Sequence, residues 1–276
     1  MPASSQPEFP VILVTGGTSG LGLEIVRLFL GKGWFVVATG RKCLTMDGYE
    51  DRFRLYQADF DDLKETAATI RTICRNHQIS YVVNNAGVLS PPDFRTSGNG
   101  FEYTFQVNFL SHLLINEIII RENKNSYAIR VAAITSMVHK LAKTDMNYCR
   151  NKECYSPLKA YSDSKFFLAL MCRHLADKYH DAWVTCFSLD PGVFGSSIYR
   201  MQKGWFRFLY RIAAPFMRRP SGVARVLGEI MTGQDLVSGA MYGIRKRVRK
   251  TKDIDPEAVE NFWKDCYSAI SDYVNQ

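Results

Sequence analysis

The chain has 276 residues, 46% of them hydrophobic and 22% charged, with a formal net charge of +8. That length buries a sizeable core without covalent staples, and seven scattered cysteines with no C-x-x-C pair argue against a disulfide scaffold and for reduced thiols. No apolar run is long enough to span a bilayer, and the basic balance permits an acidic partner without identifying one.

Residues 1–10 are polar and proline-bearing and read as a flexible terminus, neither signal peptide nor membrane anchor. Val11 to Val14 then reads as a short strand buried on both faces. A turn with glycines at 16, 17, 20 and 22 follows, and Leu21 to Leu30 continues as a helix. A strand, a glycine turn and a helix N-terminus form a pocket for phosphate, because bare N–H groups and the helix dipole favour an anion there. Gly16 serves the tight turn, Gly20 the approach of a pyrophosphate, and Gly22 the close packing of helix on strand.

Trp34 to Thr39 is a second strand that ends at Gly40-Arg41-Lys42. An acidic residue at that place would bind the ribose 2′-hydroxyl of NAD; a glycine followed by two cations favours the 2′-phosphate of NADP. Phe53 to Ala58 is a third strand, and Asp61-Asp62 cap a helix to about Asn76. Ile79 to Val83 is a fourth strand leading into Asn84-Asn85-Ala86-Gly87. That run would face the same crevice as the glycine turn, or serve only as a loop start.

A polar loop over 90–100 precedes a long helix over 101–122, whose Phe101, Phe105, Phe109 and Leu113 mark a buried face. Asn108 is a poor interior helix residue and calls for a reason, either a local hydrogen bond or a role. Ile129 to Thr135 is the fifth strand, running to Thr135-Ser136. After an excursion over 137–160, a helix spans Tyr161 to Tyr179, and Trp183 to Leu189 is the sixth strand, followed by Asp190-Pro191-Gly192. A helix from Pro220 to about Met231, a short strand over 239–244 and a helix opened by Asp255-Pro256 complete the chain. Six or seven strands alternating with helices, without repeats or a linker, predict one α/β domain. Its expected form is a doubly wound, mostly parallel Rossmann-type sheet flanked by helices.

Tyr161 and Lys165 stand four apart on one helix face. A phenol has a pKa near ~10, too high for proton transfer at neutral pH unless a neighbouring ammonium stabilises the phenolate. Ser136, at a strand end, offers a hydroxyl to hold a carbonyl oxygen beside the tyrosine.

Taken together, Thr15-Gly16-x-x-x-Gly20-x-Gly22, Asn84-Asn85-Ala86-Gly87, Asn108, Ser136, Tyr161-x-x-x-Lys165 and Pro191-Gly192 occur in the order of the short-chain dehydrogenase/reductase family, which the chain resembles over nearly its whole length. The resemblance implies NAD(P)-dependent oxidation or reduction of an alcohol or carbonyl. Tyr161 would be the proton donor or acceptor, Lys165 would lower its pKa and bind the nicotinamide ribose, Ser136 would orient the substrate oxygen, and Asn108 would hold a water of a proton relay. The implied cofactor set is Gly16, Thr18, Ser19, Gly20, Leu21, Gly22, Arg41, Lys42, Asp59 against the adenine, Phe60, Asn85, Ala86, Gly87, Tyr161, Lys165, Pro191, Gly192, Val193 and Ser196. No metal is implied.

The Ser136-to-Tyr161 spacing, Ser136-x-x-His139, Tyr155-Ser-Pro, Ala160-Tyr161-Ser162-x-Ser164-Lys165 and Asp190-Pro-Gly-Val resemble the retinol-dehydrogenase-like branch. The resulting expectation is a cytosol-facing, NADP-dependent oxidoreductase of a lipophilic alcohol/carbonyl pair, retinoid-, steroid- or polyprenoid-like. The alternatives are a reductase of small or xenobiotic carbonyls, and a non-catalytic NADP-binding regulatory protein. Gly204 to Met217, apolar with interleaved arginines, suggests a substrate lid near 195–220 and peripheral membrane contact through 204–219. The helices over 101–122 and 161–179 either pair with a second copy or face solvent. His112 and His139 read as packed or solvated imidazoles, and the basic run Arg245 to Lys250 as a solvated face with no nucleic-acid motif.

Overall fold

In a computed structural model, the structure describes residues 9–123, 127–142, 149, 151–180, 183–192, 219–250 and 254–275. Eight strands form one sheet in the order β3-β2-β1-β4-β5-β6-β7-β8. They are β1 (Val11–Val14), β2 (Phe35–Gly40), β3 (Phe53–Gln57), β4 (Tyr81–Asn84), β5 (Ile129–Ile134), β6 (Val184–Asp190), β7 (Met241–Gly243) and β8 (Val248–Arg249). Every neighbouring pair is parallel except β7–β8. The expected doubly wound sheet is present, with one strand more than predicted. β8 has two residues, too few to show a period; it exists because Met241 and Tyr242 pair with Arg249 and Val248. The chain reverses there with Lys246 at φ 58°.

The helices lie on both faces. On one face α1 (Gly20–Gly31) and α5 (Pro220–Thr232) pack together. Ile25, Phe29, Val223 and Leu227 join Ile12, Val14 and Phe187 of the sheet in one core. On the other face lie α2 (Leu63–Asn76), α3 (103–123), α4 (Pro157–Lys178) and α6 (Pro256–Val274). Local chemistry explains where these helices begin. Asp62 accepts from the N–H groups of Lys64 and Glu65, and Asp255 from that of Ala258, so orphan first-turn donors are satisfied.

Two predicted boundaries move. α4 starts at Pro157, with Ser156 extended at the N-cap position, so its first turn replaces the end of the expected excursion; proline costs nothing at a position whose N–H is unpaired. The α3 helix starts at Tyr103, because the Glu102 carboxylate accepts from Phe105 N–H, leaving Phe101 outside it and half-buried. Residues Gln106–Leu110 within α3 wind as a π turn.

The helices expected either to meet a second copy or to face solvent carry a further element of the same chain on part of their surface. That element is α6. Phe262 stacks on Phe109 of α3 (centroids 5.5 Å apart) and lies tilted against Phe167 of α4 (4.6 Å), and Trp263 stacks on His174 of α4 (4.1 Å). Beneath it the buried Glu117 carboxylate accepts from Lys178 (2.8 Å), Tyr179 (2.8 Å) and Tyr267 (2.6 Å).

Candidate active site

The strand order reverses between β1 and β4, and ligands of open α/β sheets lie beyond the strand ends at such a point. A cavity of about 330 Å³ opens there. It runs from Arg41 and Lys42 at the end of β2, past the glycine turn and Asn85-Ala86-Gly87, to Ser136, Tyr161, Lys165 and Gly192. Thr18, Ser19, Leu21, Asp59 and Phe60 line it as well. Every described residue of the sequence-derived cofactor set borders this cavity except Pro191, which is buried beside Gly192. Val193, Ser196 and the segment 204–217 lie outside the described residues.

The glycine turn is held from below. Thr15 Oγ1 accepts from the N–H groups of Asn85 (2.9 Å) and Ala86 (3.0 Å). The Asn85 carboxamide returns a hydrogen bond to Thr15 O (2.9 Å). Gly16 and Gly20 have φ of 66° and 56°, where a side chain is disfavoured. A Cβ on Gly22 would lie 2.2 Å from Gly16 O and 2.5 Å from Asn85 Nδ2, so a glycine there closes the turn against the helix. Ser19, at the N-cap of α1, makes no side-chain cap bond, and no acidic residue stands in the first turn. The N–H groups there are not taken up by that side chain and meet no competing charge. This end fits a pyrophosphate.

At the adenosine end, a Cβ on Gly40 would meet the Thr18 side chain at 2.6 Å, so a larger residue at that position requires Thr18 to move. Arg41 lies 4.0 Å from the Asp59 carboxylate, and both are substantially exposed.

The reacting end is built from four elements. Ser136 follows β5, half-buried, and Tyr161 and Lys165 stand one turn apart on α4. Lys165 is buried, and its Nζ donates to Ile134 O at 3.2 Å. Burial lowers its pKa from 10.5 to about 8, since a low dielectric disfavours the charged form. Asn108 sits in the π turn of α3. Its Oδ1 accepts from Val88 N–H (2.7 Å), and its Nδ2 donates to Val88 O (3.0 Å) and Ser164 Oγ (3.0 Å). Its polar atoms therefore fasten the chain after Gly87 to α4, and the bonds are long-range. A Cβ on Gly87 would stand 3.2 Å from Lys165 Nζ and 3.3 Å from Asn108 Oδ1, so the glycine keeps the space between the cavity and these two groups open.

Sequence reasoning passed over two contributors. His112 is wholly buried, with Nε2 3.0 Å from Thr15 Oγ1 and Nδ1 2.9 Å from Asn108 O. It joins the glycine turn to the π turn; its place four residues after Asn108 was the available signal. Arg249, inside the basic run read as a solvated face, instead pairs with the buried Asp190. His139 is packed as expected, 2.5 Å from Ser136 O through Nδ1. No group of three or more metal-ligating side chains occurs among the described residues.

Residues 10–205 match the family model described as short chain dehydrogenase. The chain is 28% identical over 250 residues to retinol dehydrogenase 12 of Mus musculus, covering 86% of this chain and 78% of that one. It is 27% identical to the polyprenol dehydrogenase of Homo sapiens over 71% of this chain and 65% of that protein. Among solved structures, a short chain dehydrogenase from Leptospira borgpetersenii with bound NAD+ superposes with a TM-score of 0.67 at 20% identity, covering 86% of this chain and 91% of the other. A 3-oxoacyl-[acyl-carrier protein] reductase from Brucella melitensis in complex with NAD gives 0.68 at 21% identity, with coverages of 87% and 96%.

Proposed function

The chain belongs to the short-chain dehydrogenase family of oxidoreductases, and from that premise we propose that it is an NADP-dependent enzyme acting on a lipophilic alcohol/carbonyl pair. One observation carries the reading: Ser136, Tyr161 and Lys165 line the same continuous cavity as the glycine turn and Arg41. The relatives named retinol dehydrogenase and polyprenol dehydrogenase support a lipophilic substrate. So do the exposed apolar side chains of Met137, next to Ser136, and Leu158, one turn before Tyr161. Arg41 and Lys42, with glycine at position 40, support the 2′-phosphate.

A bound nicotinamide supplies or takes the hydride. The protein's part is to hold and move a proton. Ser136 Oγ hydrogen-bonds the substrate oxygen and sets it against the Tyr161 hydroxyl. Tyr161 gives that oxygen a proton in reduction and takes one in oxidation. The Lys165 ammonium, one turn further on the helix, stabilises the phenolate and so brings the phenol into range for transfer near neutral pH. Asn108, fixed between Val88 and Ser164, holds the inner end of a relay that returns the proton through Lys165. A reducing, NADPH-rich setting would favour the carbonyl-to-alcohol direction. Residues 204–219 are assigned, on their sequence, to a lid that meets an anionic membrane surface. Among the described residues no helix is long and apolar enough to cross a membrane.

The test is turnover of retinal, a steroid ketone and a polyprenal with NADPH, and of the matching alcohols with NADP⁺, followed by absorbance of the reduced nicotinamide. Turnover of at least one lipophilic pair is expected. Turnover confined to small polar carbonyls would sink the substrate class, and binding of NADPH with no turnover of any pair would sink the enzymatic reading.

A further inference from the structure

The end of β6 carries an arrangement that the proton chemistry leaves unused. Asp190, the last residue of that strand, is wholly buried. Its Oδ1 accepts from the Gly192 N–H at 2.9 Å, and its Oδ2 accepts from Nη1 of Arg249. Gly192 stands at φ 68°, so this carboxylate fixes a left-handed turn directly at the cavity wall.

Arg249 reaches Asp190 from two strands away. Asp190 is paired in register with Gly243 of β7, and Arg249 with Met241 of the same strand. The guanidinium crosses over Gly243, where an added Cβ would fall 2.4 Å from Arg249 Nε. A glycine in β7 therefore leaves the passage, and β8, absent from the local sequence pattern, supplies the cation. The hairpin between them is closed by Gly243 N–H to Arg247 O (3.0 Å) and Lys246 N–H to Gly243 O (2.8 Å).

We propose that Arg249 is a positioning residue for the nicotinamide end of the cofactor site. It acts through Asp190, which it holds in the one orientation that also captures the Gly192 N–H. A carboxylate buried without its counter-ion would turn toward any available donor or admit water, and the Pro191-Gly192 turn would lose its anchor. The inference rests on the cofactor reading given above, because the turn has a binding role only if the nicotinamide lies beside it.

The experiment compares two ligands on the full chain: NADPH, and 2′-phospho-ADP-ribose, which keeps the adenosine, the 2′-phosphate and the pyrophosphate but lacks the nicotinamide. Arg249→Met should weaken NADPH on the order of tenfold while shifting the fragment about twofold or less. Asp190→Asn in the Arg249→Met background removes both charges and keeps an Oδ1 acceptor for Gly192, so NADPH affinity should return to within about threefold of the parent. Gly243→Ala keeps both charged residues and displaces the guanidinium, and should reproduce the selective loss even if Arg249→Met fails to fold. Equal weakening of both ligands, no weakening of either, or failure of the double variant to recover would overturn the positioning role alone. A parent protein that binds neither NADPH nor the fragment would overturn the cofactor reading, and this inference with it.

Discussion

Lys165 Nζ lies 3.2 Å from the carbonyl oxygen of Ile134, so the ammonium that the chemistry needs is held by a neutral dipole inside the fold. Its pKa of about 8 against 10.5 means that the cofactor-free folded state binds fewer protons than the unfolded chain between those values. Stability therefore rises with pH across that window and is forgone below it, by ~3 kcal/mol. Lys165→Met should raise the Tm by several degrees while abolishing turnover and weakening NADPH. Tyr161→Phe should abolish turnover with NADPH affinity nearly intact. Calorimetry beside single-turnover kinetics checks both, and a Lys165→Met protein less stable than the parent would refute the first. In the parent, NADPH affinity should fall as pH rises through about 8 and the cation is lost.

Arg41 and Asp59 set the second expectation. At 4.0 Å and largely exposed, the pair is worth little by itself, so the guanidinium can turn to a 2′-phosphate at small cost. A charge-assisted contact of that kind contributes about 1.5–3 kcal/mol. Arg41→Ala should weaken NADPH about ten- to a hundredfold and leave NADH unchanged. Equal affinity of the parent for both cofactors would remove the basis for assigning NADP.

The parts of the site that were legible in the sequence are those whose chemistry is local. The strand, glycine turn and α1 announce themselves through adjacent residues, and Tyr161 with Lys165 through one helical turn. Asp62 and Asp255 were readable as caps for the same reason. What was not legible depends on partners far along the chain. β8 is strand only because β7 is beside it, and Arg249 looked solvated because Asp190 lies 59 residues away. The apolar residues of α3 gave no hint that α6 would cover them, since periodicity marks a face as buried without naming the cover. Only the start of α4 differs, by one turn, and for a different reason. Ser156-Pro157 is a helix-start signal, but it stands four residues before the Tyr161–Lys165 pair, inside a polar stretch with no apolar period of its own.

Glu117 supplies a stability prediction away from the site. Its carboxylate is fully buried and receives Lys178, Tyr179 and Tyr267 from α4, from the residue after it, and from α6. Removing the acceptor leaves three donors directed at an empty place, and breaking a buried, paired charge costs about 3–5 kcal/mol. Glu117→Ala should lower the unfolding free energy by that order and loosen α6. At a temperature where the variant is still folded, KM and kcat should stay near parental values, because none of these groups borders the cavity. Urea titration gives the first quantity and steady-state kinetics the second. A variant with parental stability would mean that α6 is held by its apolar face and by bonds such as that of Asn99 to Tyr273, without help from the carboxylate.

The acid limb of stability should belong in good part to His112. Thr15 Oγ1 already accepts two N–H groups, which leaves it no room for a third; its one proton goes to Val83 O (3.2 Å) or to Nε2 (3.0 Å), and Nδ1–H donates to Asn108 O. That arrangement requires the neutral imidazole. Burial foremost, with the nearby Lys165 charge adding to it, lowers the pKa from 6.5 to about 4. The folded state thus resists a proton that the unfolded chain accepts. The contribution is complete above about pH 6.5, declines as pH falls from there toward 4, and reaches ~3 kcal/mol in all. His174, also lowered to about 4, acts in the same direction but is partly solvated, so its share is smaller. His112→Gln keeps a donor and an acceptor but does not titrate. The difference in unfolding free energy between parent and variant should therefore shrink or reverse as pH drops from 7 to 4.5. The variant should also show weaker NADPH binding at pH 7, since Thr15 and the glycine turn lose a fixed partner. A pH-independent difference between the two proteins would place the acid sensitivity elsewhere.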